Sequence, residues 1–334
     1  MAGLSAFGDK KMSNASALRL VDTRTLSREQ WLEVRAGGIG SSDAAAAVGL
    51  CPYKSQLELW MEKTGRATKA GEHLGLDDPR YWGTLLEPFV ANAYQQKTGR
   101  KVRKVNAVLQ HPSLPFMLAN IDREVVGSPD VQILECKTAG EFGARLWRDG
   151  VPEYVQLQVQ HQLAVTGKQA ADVAVLLCGQ TLEVFRIPRD DEAIARLVVL
   201  EARFWEYVET DTPPPADGSE SSARALRKLY PGGGDTVDLT GDPVLGQALE
   251  ELRLLRDELD AKQATAEALR QRIQQAMGDA SRAVLSTGEV SFKRARDGVS
   301  IDTRQLTLDH PELVARYTTT RLGARRFLIL DKPT

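Results

Sequence analysis

The chain has 334 residues, with 42% hydrophobic and 26% charged residues and a formal net charge of −2, values close to those of folded water-soluble chains. No apolar run approaches the roughly 20 residues that cross a bilayer, so no membrane segment is expected, and near-neutrality rules out a global basic signal for nucleic acid while leaving room for a local one. Cys51, Cys136 and Cys178 are too scattered and too few for a disulfide framework, a CxxC zinc site or a four-cysteine iron–sulfur cluster; a reducing, cytoplasmic compartment is expected.

In chain order, residues 1–25 open with MAGLSAFGDKKMSNAS, whose lysines follow a short weak apolar patch. That is the wrong order for a secretory signal, and a disordered arm is expected. SREQWLEVR predicts a helix opened by Ser27, and GIGSSDAAAAVG a glycine turn feeding a helix capped by Ser41 or Ser42. Further helices are expected at SQLELWMEKTG and YWGTLLEPFVANAYQQKTG, then extended segments at KVRKVNAVLQ, FMLANIDREVVG and VQILECKTA. PEYVQLQVQHQLAVTG reads as a helix, ADVAVLLCG and LEVFRIP as two more strands. Helices, a strand meander, a helix and strands in that order predict an α/β or α+β domain over 26–212.

The run TPPPADGSESS breaks the pattern, and 213–241 is expected to be a linker carrying the short basic helix ARALRKLY. Residues 242–278 predict one long helix. Leu245, Leu252, Leu259, Ala266 and Ile273 recur every seven residues, with Ala248, Leu255, Leu269 and Ala276 three places on and Lys262 interrupting once. Two readings stand side by side: a coiled-coil seam, or a long helix packed along its own domain. A small module with β-like runs (VLSTGEVSFKRA, TTTRLGARRFLIL) and an excess of Lys and Arg is expected over 279–334.

Chemistry concentrates in QILECKTA. Alternation puts Glu135 and Lys137 on one face of the strand and Cys136 on the other. The preceding strand ends in Asn120-Ile121-Asp122, so pairing of the two strands brings Asp122 to Glu135. Charges inside an otherwise apolar strand need partners or a metal. Two carboxylates facing one ammonium suit phosphodiester hydrolysis: hard oxygen ligands hold Mg²⁺, and Lys137 positions the attacking water or stabilises charge on the phosphoryl oxygens. Glu87 in GTLLEPFV offers a further carboxylate, and Gln158 a hydrogen bond to that water. The glycine-rich turn before Ser41 and Ser42, with Arg35, makes an anion site or simply a helix cap. Lys97, Arg100, Lys101, Arg103 and Lys104 form an acid-free basic run, which suits a DNA backbone or a solvated turn. His111 and His161 show no metal spacing, and a structural role is expected for both.

Taken in order, RAGGIGSSDAAAAVGL, SQLELWMEKTG, WGTLLEPFV, FMLANIDREV, ILECKTA and PEYVQLQVQHQLAVTG resemble the YqaJ-type viral recombinase family. That family is related to phage lambda exonuclease and belongs to the PD-(D/E)xK nuclease superfamily. The resemblance covers roughly residues 28–210. It implies a restriction-endonuclease-like mixed sheet flanked by helices and a site with two Mg²⁺ or Mn²⁺ ions. Asp122, Glu135, Glu87 and the backbone carbonyl of Cys136 would be ligands, Lys137 the catalytic lysine and Gln158 the glutamine that follows it, with Gln156 and Gln162 as near-register competitors. Arg35 and Ser42 would hold a 5′-phosphate. The position before Asp122 is Ile121 where the family motif has proline. The resemblance implies a phage-type exonuclease acting 5′ to 3′ on linear double-stranded DNA in a bacterial host. It would leave 3′ single strands for an annealing protein and work as a homo-oligomer. The alternatives are an endonuclease of the same superfamily, or a DNA-binding or assembly protein without chemistry.

Overall fold

The computed structural model describes residues 17–67, 75–320, 323 and 325–330; residues 1–16 of the expected arm lie outside that set. The chain divides into two units after Pro231.

The first unit runs β1 (Leu18–Asp22), α1 (Arg28–Ala36), β2 (Ile39–Gly40), α2 (Ala44–Ala47), α3 (Gln56–Lys63), α4 (Pro79–Thr98), β3 (Val102–Lys104), β4 (Ala107–Gln110) and β5 (Met117–Ala119). It continues with β6 (Arg123–Val125), β7 (Ile133–Ala139), α5 (Glu141–Ala144), α6 (Glu153–Thr166), β8 (Ala170–Leu177), β9 (Thr181–Pro188), α7 (Asp191–Glu209) and α8 (Glu220–Leu229). Local chemistry sets several boundaries. Ser27 and Gln30 form a capping box at the start of α1. Asp78 caps α4, Pro79 fills its first turn, and Gly99 ends it at φ 70°, a left-handed stop that costs glycine nothing.

The larger sheet has the order β3-β6-β7-β8-β9. Only β7 and β8 pair in parallel there; the other pairs are antiparallel, so the sheet is mixed, as expected. Val173, Ala174 and Val175 of β8 are fully buried, which fits a central strand covered on both faces. On one face, Ile133, Val173 and Val175 pack with Val155, Val159 and Leu163 of α6. On the other, Leu134 and Ala174 pack with Val90, Ala91 and Tyr94 of α4. Each buried Val, Leu or Ile side chain contributes about 1.5–3 kcal/mol.

Several expectations need correction. KVRKVNAVLQ and FMLANIDREVVG are not single strands. Each splits in two, and the halves join different sheets, because a second sheet of order β1-β4-β5-β2 takes β4 and β5. Asn120 holds the corner: its Nδ2 donates to the Ala107 carbonyl at 3.1 Å. Residues 18–22 of the expected arm form β1, paired antiparallel with β4. Helix α7 fills a stretch for which no element was expected, and its Ile194, Leu197 and Phe204 are buried. The basic helix of the expected linker forms as α8 but is docked: Ser221 Oγ accepts from Ser55 N at 2.8 Å, and Ala225 joins Leu57, Trp60 and Phe204 in a core cluster.

The second unit contains α9 (Pro243–Met277), β10 (Arg282–Leu285), β11 (Gly288–Ser291), α10 (Thr303–Asp309) and α11 (Pro311–Tyr317). Helix α9 is the expected long helix, capped by Asp242 with Pro243 in its first turn. Of its heptad residues, Leu245, Leu255, Leu259, Leu269 and Ile273 are exposed. Leu269, Ile273 and Ala276 line an open groove together with Ala283 and Leu285 of the β10–β11 hairpin, while Met277 at the end of the helix is buried. The run TTTRLGARRFLIL forms no strand among its described residues; the helices α10 and α11 precede it instead.

Candidate active site

Strand β7 presents Glu135 and Lys137 toward α6, and α6 answers with two glutamines one turn apart. Lys137 Nζ donates to Glu135 Oε1 at 2.6 Å and to Gln158 Oε1 at 2.9 Å. Gln158 Nε2 donates to the same Glu135 oxygen at 2.6 Å. Gln162 Nε2 takes the other oxygen at 2.7 Å, so two of the three glutamines left open by the sequence reach the carboxylate, as i, i+4 neighbours on one helix face can. Gln156 points away and donates to the Val151 carbonyl. Glu135 is 2% exposed, yet three donors satisfy it.

Asp122 follows the corner that ends β5, and pairing of Arg123 with Leu134 sets it beside Glu135. Its Oδ2 accepts from Cys136 N at 2.8 Å. Burial, followed by the charge of Glu135, pushes the Asp122 carboxyl well above its ordinary range. For Lys137, burial works against the charge, but Glu135 and Asp122 outweigh it and raise the ammonium above its ordinary value. Burial also raises the Cys136 thiol, which keeps it neutral. Glu87, on α4 just before Pro88, is held by Arg123 Nη1 at 2.5 Å.

This donor set suits a hard divalent cation. Two carboxylates crowd one partly buried spot at a mutual cost that a cation between them would relieve. Among the described residues no three His, Cys, Asp or Glu side chains stand close enough to form a ready cage, because Glu87 is engaged by Arg123 and the Glu135 oxygens by Lys137, Gln158 and Gln162.

A second charged cluster lies where α1 leads into α2. Arg35 Nη2 donates to Ser42 Oγ and to Asp43 Oδ2, both at 2.9 Å, and its guanidinium lies 4.9 Å over the Trp31 ring. Lys63 Nζ donates to the same Asp43 oxygen at 2.9 Å and to the Arg35 carbonyl at 2.9 Å. Burial alone would push the Asp43 carboxyl up, but Arg35, Lys63 and Lys54 hold it well below the usual carboxylate range. Gly40 leaves room for the guanidinium, since a Cβ there would sit 2.6 Å from Arg35 Nη2. Ser41 is buried and turned toward the corner, its Oγ 3.4 Å from the Asn120 carbonyl, whereas Ser42 is exposed beside Arg35. The sequence reading did not single out Asp43 or Lys63. The available signal was an acid opening the run of buried alanines 44–47.

The basic run 97–104 is partly engaged by its own chain. Lys97 Nζ donates to the Leu182 carbonyl at 2.6 Å and Arg103 pairs with Glu124 at 2.5 Å, while Lys101 and Lys104 are exposed and Arg100 half-buried. His161 is fully buried, with Nδ1 2.7 Å from Glu201 Oε1 and Nε2 2.9 Å from the Leu118 carbonyl, a structural arrangement. His111 Nδ1 accepts from the backbone of Ser113 and Leu114.

Comparison with known proteins agrees with the resemblance drawn above. A profile of the YqaJ-like viral recombinase domain matches residues 30–169. The chain is 33% identical over 308 residues to the uncharacterized protein YqaJ of Bacillus subtilis strain 168, covering 90% of this chain and 94% of that one. Among solved structures it is similar to an alkaline exonuclease, LHK-Exo, from Laribacter hongkongensis, with a TM-score of 0.45, 23% identity, and coverage of 60% of this chain and 100% of that one. It is also similar to a phage-related exonuclease from Haemophilus somnus 129PT, with a TM-score of 0.39, 13% identity, and coverage of 52% and 96%.

Proposed function

The chain belongs to the YqaJ family, and from that premise we propose that it is a metal-dependent DNA exonuclease of phage or prophage type. The observation that carries this reading is the cluster of Glu135, Lys137, Gln158 and Asp122: two crowded carboxylates with an ammonium fixed beside them. Asp122 and Glu135 would hold Mg²⁺ or Mn²⁺, with Glu87 and the Cys136 carbonyl as further oxygen donors and room in the family pattern for two ions. A bound divalent cation supplies Lewis-acid polarisation of the phosphate and a water that loses its proton near neutral pH. Lys137 contributes charge stabilisation at the phosphoryl oxygens, and Gln158 fixes both Glu135 and Lys137 in orientation.

Arg35, with Ser42, receives the terminal 5′-phosphate of a linear duplex, and Asp43 holds that arginine against Lys63. End recognition of this kind gives 5′-to-3′ digestion and leaves a 3′ single strand for an annealing protein. Lys101 and Lys104 supply backbone contacts. The uncovered part of the α9 stripe suits a homo-oligomer, and the enzyme works in the cytoplasm of a bacterial host; no helix among the described residues is long and apolar enough to cross a membrane. Duplexes labelled at either end test the polarity. Release of the 5′ label ahead of the 3′ label is expected, and the reverse order contradicts it. Light scattering on the full chain and on a chain lacking residues 243–277 tests the assembly; equal subunit numbers contradict the role given to α9.

A further inference from the structure

Tyr53 stands in the turn between α2 and α3 with 61% of its surface exposed. A free loop would let such a ring wander, but this one is pinned on its C-terminal side. Lys54 pairs with Glu62 at 2.8 Å, Ser55 N donates to Ser221 Oγ at 2.8 Å, and Gln56 Nε2 donates to the Ala47 carbonyl at 2.6 Å. The ring meets Tyr154, on the first turn of α6, edge to face at 5.6 Å between centroids and 87° between planes. Tyr154 is half-buried one turn before Gln158, whose side-chain oxygen accepts from Lys137 Nζ at 2.9 Å. Burial, followed by contact with Tyr53, raises the Tyr154 hydroxyl to about 12, so Tyr154 is neutral at neutral pH.

In an edge-to-face pair, the ring that offers its edge keeps both faces free and the ring that receives it keeps one free. Tyr53 therefore presents at least one aromatic face that Tyr154 does not use, largely in solvent, on a pair that stands one helical turn from Gln158, the partner of Lys137. A flat, sequence-tolerant apolar ligand beside a phosphate-handling centre is a nucleobase. We propose that Tyr53, braced by Tyr154, is a stacking platform for a base of the strand being digested. Stacking there fixes the nucleotide next to the phosphate that Lys137 faces, and it serves all four bases because each has a π face. This inference rests on the nuclease reading.

The test uses the full-length chain with EDTA present, so that no strand is cut, and duplexes carrying 5-iododeoxyuridine at one of the first few positions from the 5′ end. Photo-crosslinking followed by peptide mapping is expected to find Tyr53. Tyr53→Ala should lose that crosslink and weaken duplex-end binding about fivefold to a hundredfold, while Tyr53→Phe, which keeps the ring, should retain both. Crosslinks that map elsewhere, with Tyr53→Ala binding within about twofold of wild type, overturn the platform and leave the nuclease reading standing. Failure of Tyr53→Phe to retain binding also overturns it, since the hydroxyl and not the face would then matter. Absence of DNA binding by the wild-type chain under all conditions overturns both the reading and the platform.

Discussion

The two charged clusters of the first unit are built with opposite signs. Around Glu135 three acids, Glu87, Asp122 and Glu135, meet two bases, Arg123 and Lys137. Around Asp43 two bases, Arg35 and Lys63, meet one acid. In the first cluster two carboxylates, Asp122 and Glu135, crowd together, and in the second two cations converge on one Asp43 oxygen, each in a partly buried setting. The acid-rich cluster calls for a cation and the base-rich one for an anion. A phosphodiester enzyme that grips a terminal phosphate at one place and hydrolyses the next bond with metal help needs both.

The largest break in this comparison comes from the acid-rich side. Lys137→Ala should cut the rate by about a hundredfold or more while DNA binding persists; turnover equal to wild type in single-turnover kinetics would remove the lysine from the chemistry. On the other side, Asp43→Asn keeps shape but removes the buried carboxylate on which Arg35 and Lys63 converge. A loss of about 3 kcal/mol in urea unfolding is expected, and an unchanged midpoint would show that Asp43 is not the keystone of its cluster. Arg35→Ala should slow digestion of 5′-phosphorylated ends and spare 5′-hydroxyl ends, whereas equal loss on both contradicts end recognition. Gly40→Ala sharpens this, because its Cβ displaces the guanidinium without removing it. The same selectivity should fall, by less than in Arg35→Ala.

The smallest effect concerns the buried pair between the clusters. For His161, burial alone lowers the imidazole pKa, but Glu201, aided by the Leu118 carbonyl, raises it above its ordinary value. A raised folded-state pKa means that the pair's contribution to stability is complete below the unfolded value of about 6.5 and is lost as pH rises through the folded value. Melting temperature should therefore decline on the alkaline side, and His161→Gln should flatten that decline. A variant with the same slope as wild type would assign the pH dependence to other groups.

Much of the acid-rich cluster was legible because strand alternation is a strong geometric rule: Glu135 and Lys137 had to share a face, and charges amid Val131, Ile133 and Leu134 had to find partners. The choice among Gln156, Gln158 and Gln162 was not legible, since helical spacing places 158 and 162 alike and only packing shows that both reach Glu135. Asp43 escaped notice although the same rule applied, because Ser41 and Ser42 beside it are ordinary helix caps. The split of FMLANIDREVVG between two sheets was hidden because the hydrophobic pattern continues across Asn120; the corner depends on a side chain bonding to Ala107, a contact between distant residues. In the second unit the 3.5-residue repeat of α9 was plain, but nothing in the repeat announced that its last residues share a groove with the β10–β11 hairpin.

The central claim, that the Glu135 cluster is where phosphodiester bonds break, is tested most directly by incubating linear and covalently closed circular duplex DNA with wild type and with Glu135→Ala, in Mg²⁺ and in EDTA. The account predicts loss of linear DNA alone, only with Mg²⁺ and only by wild type. Cleavage of linear DNA by Glu135→Ala at the wild-type rate would contradict it.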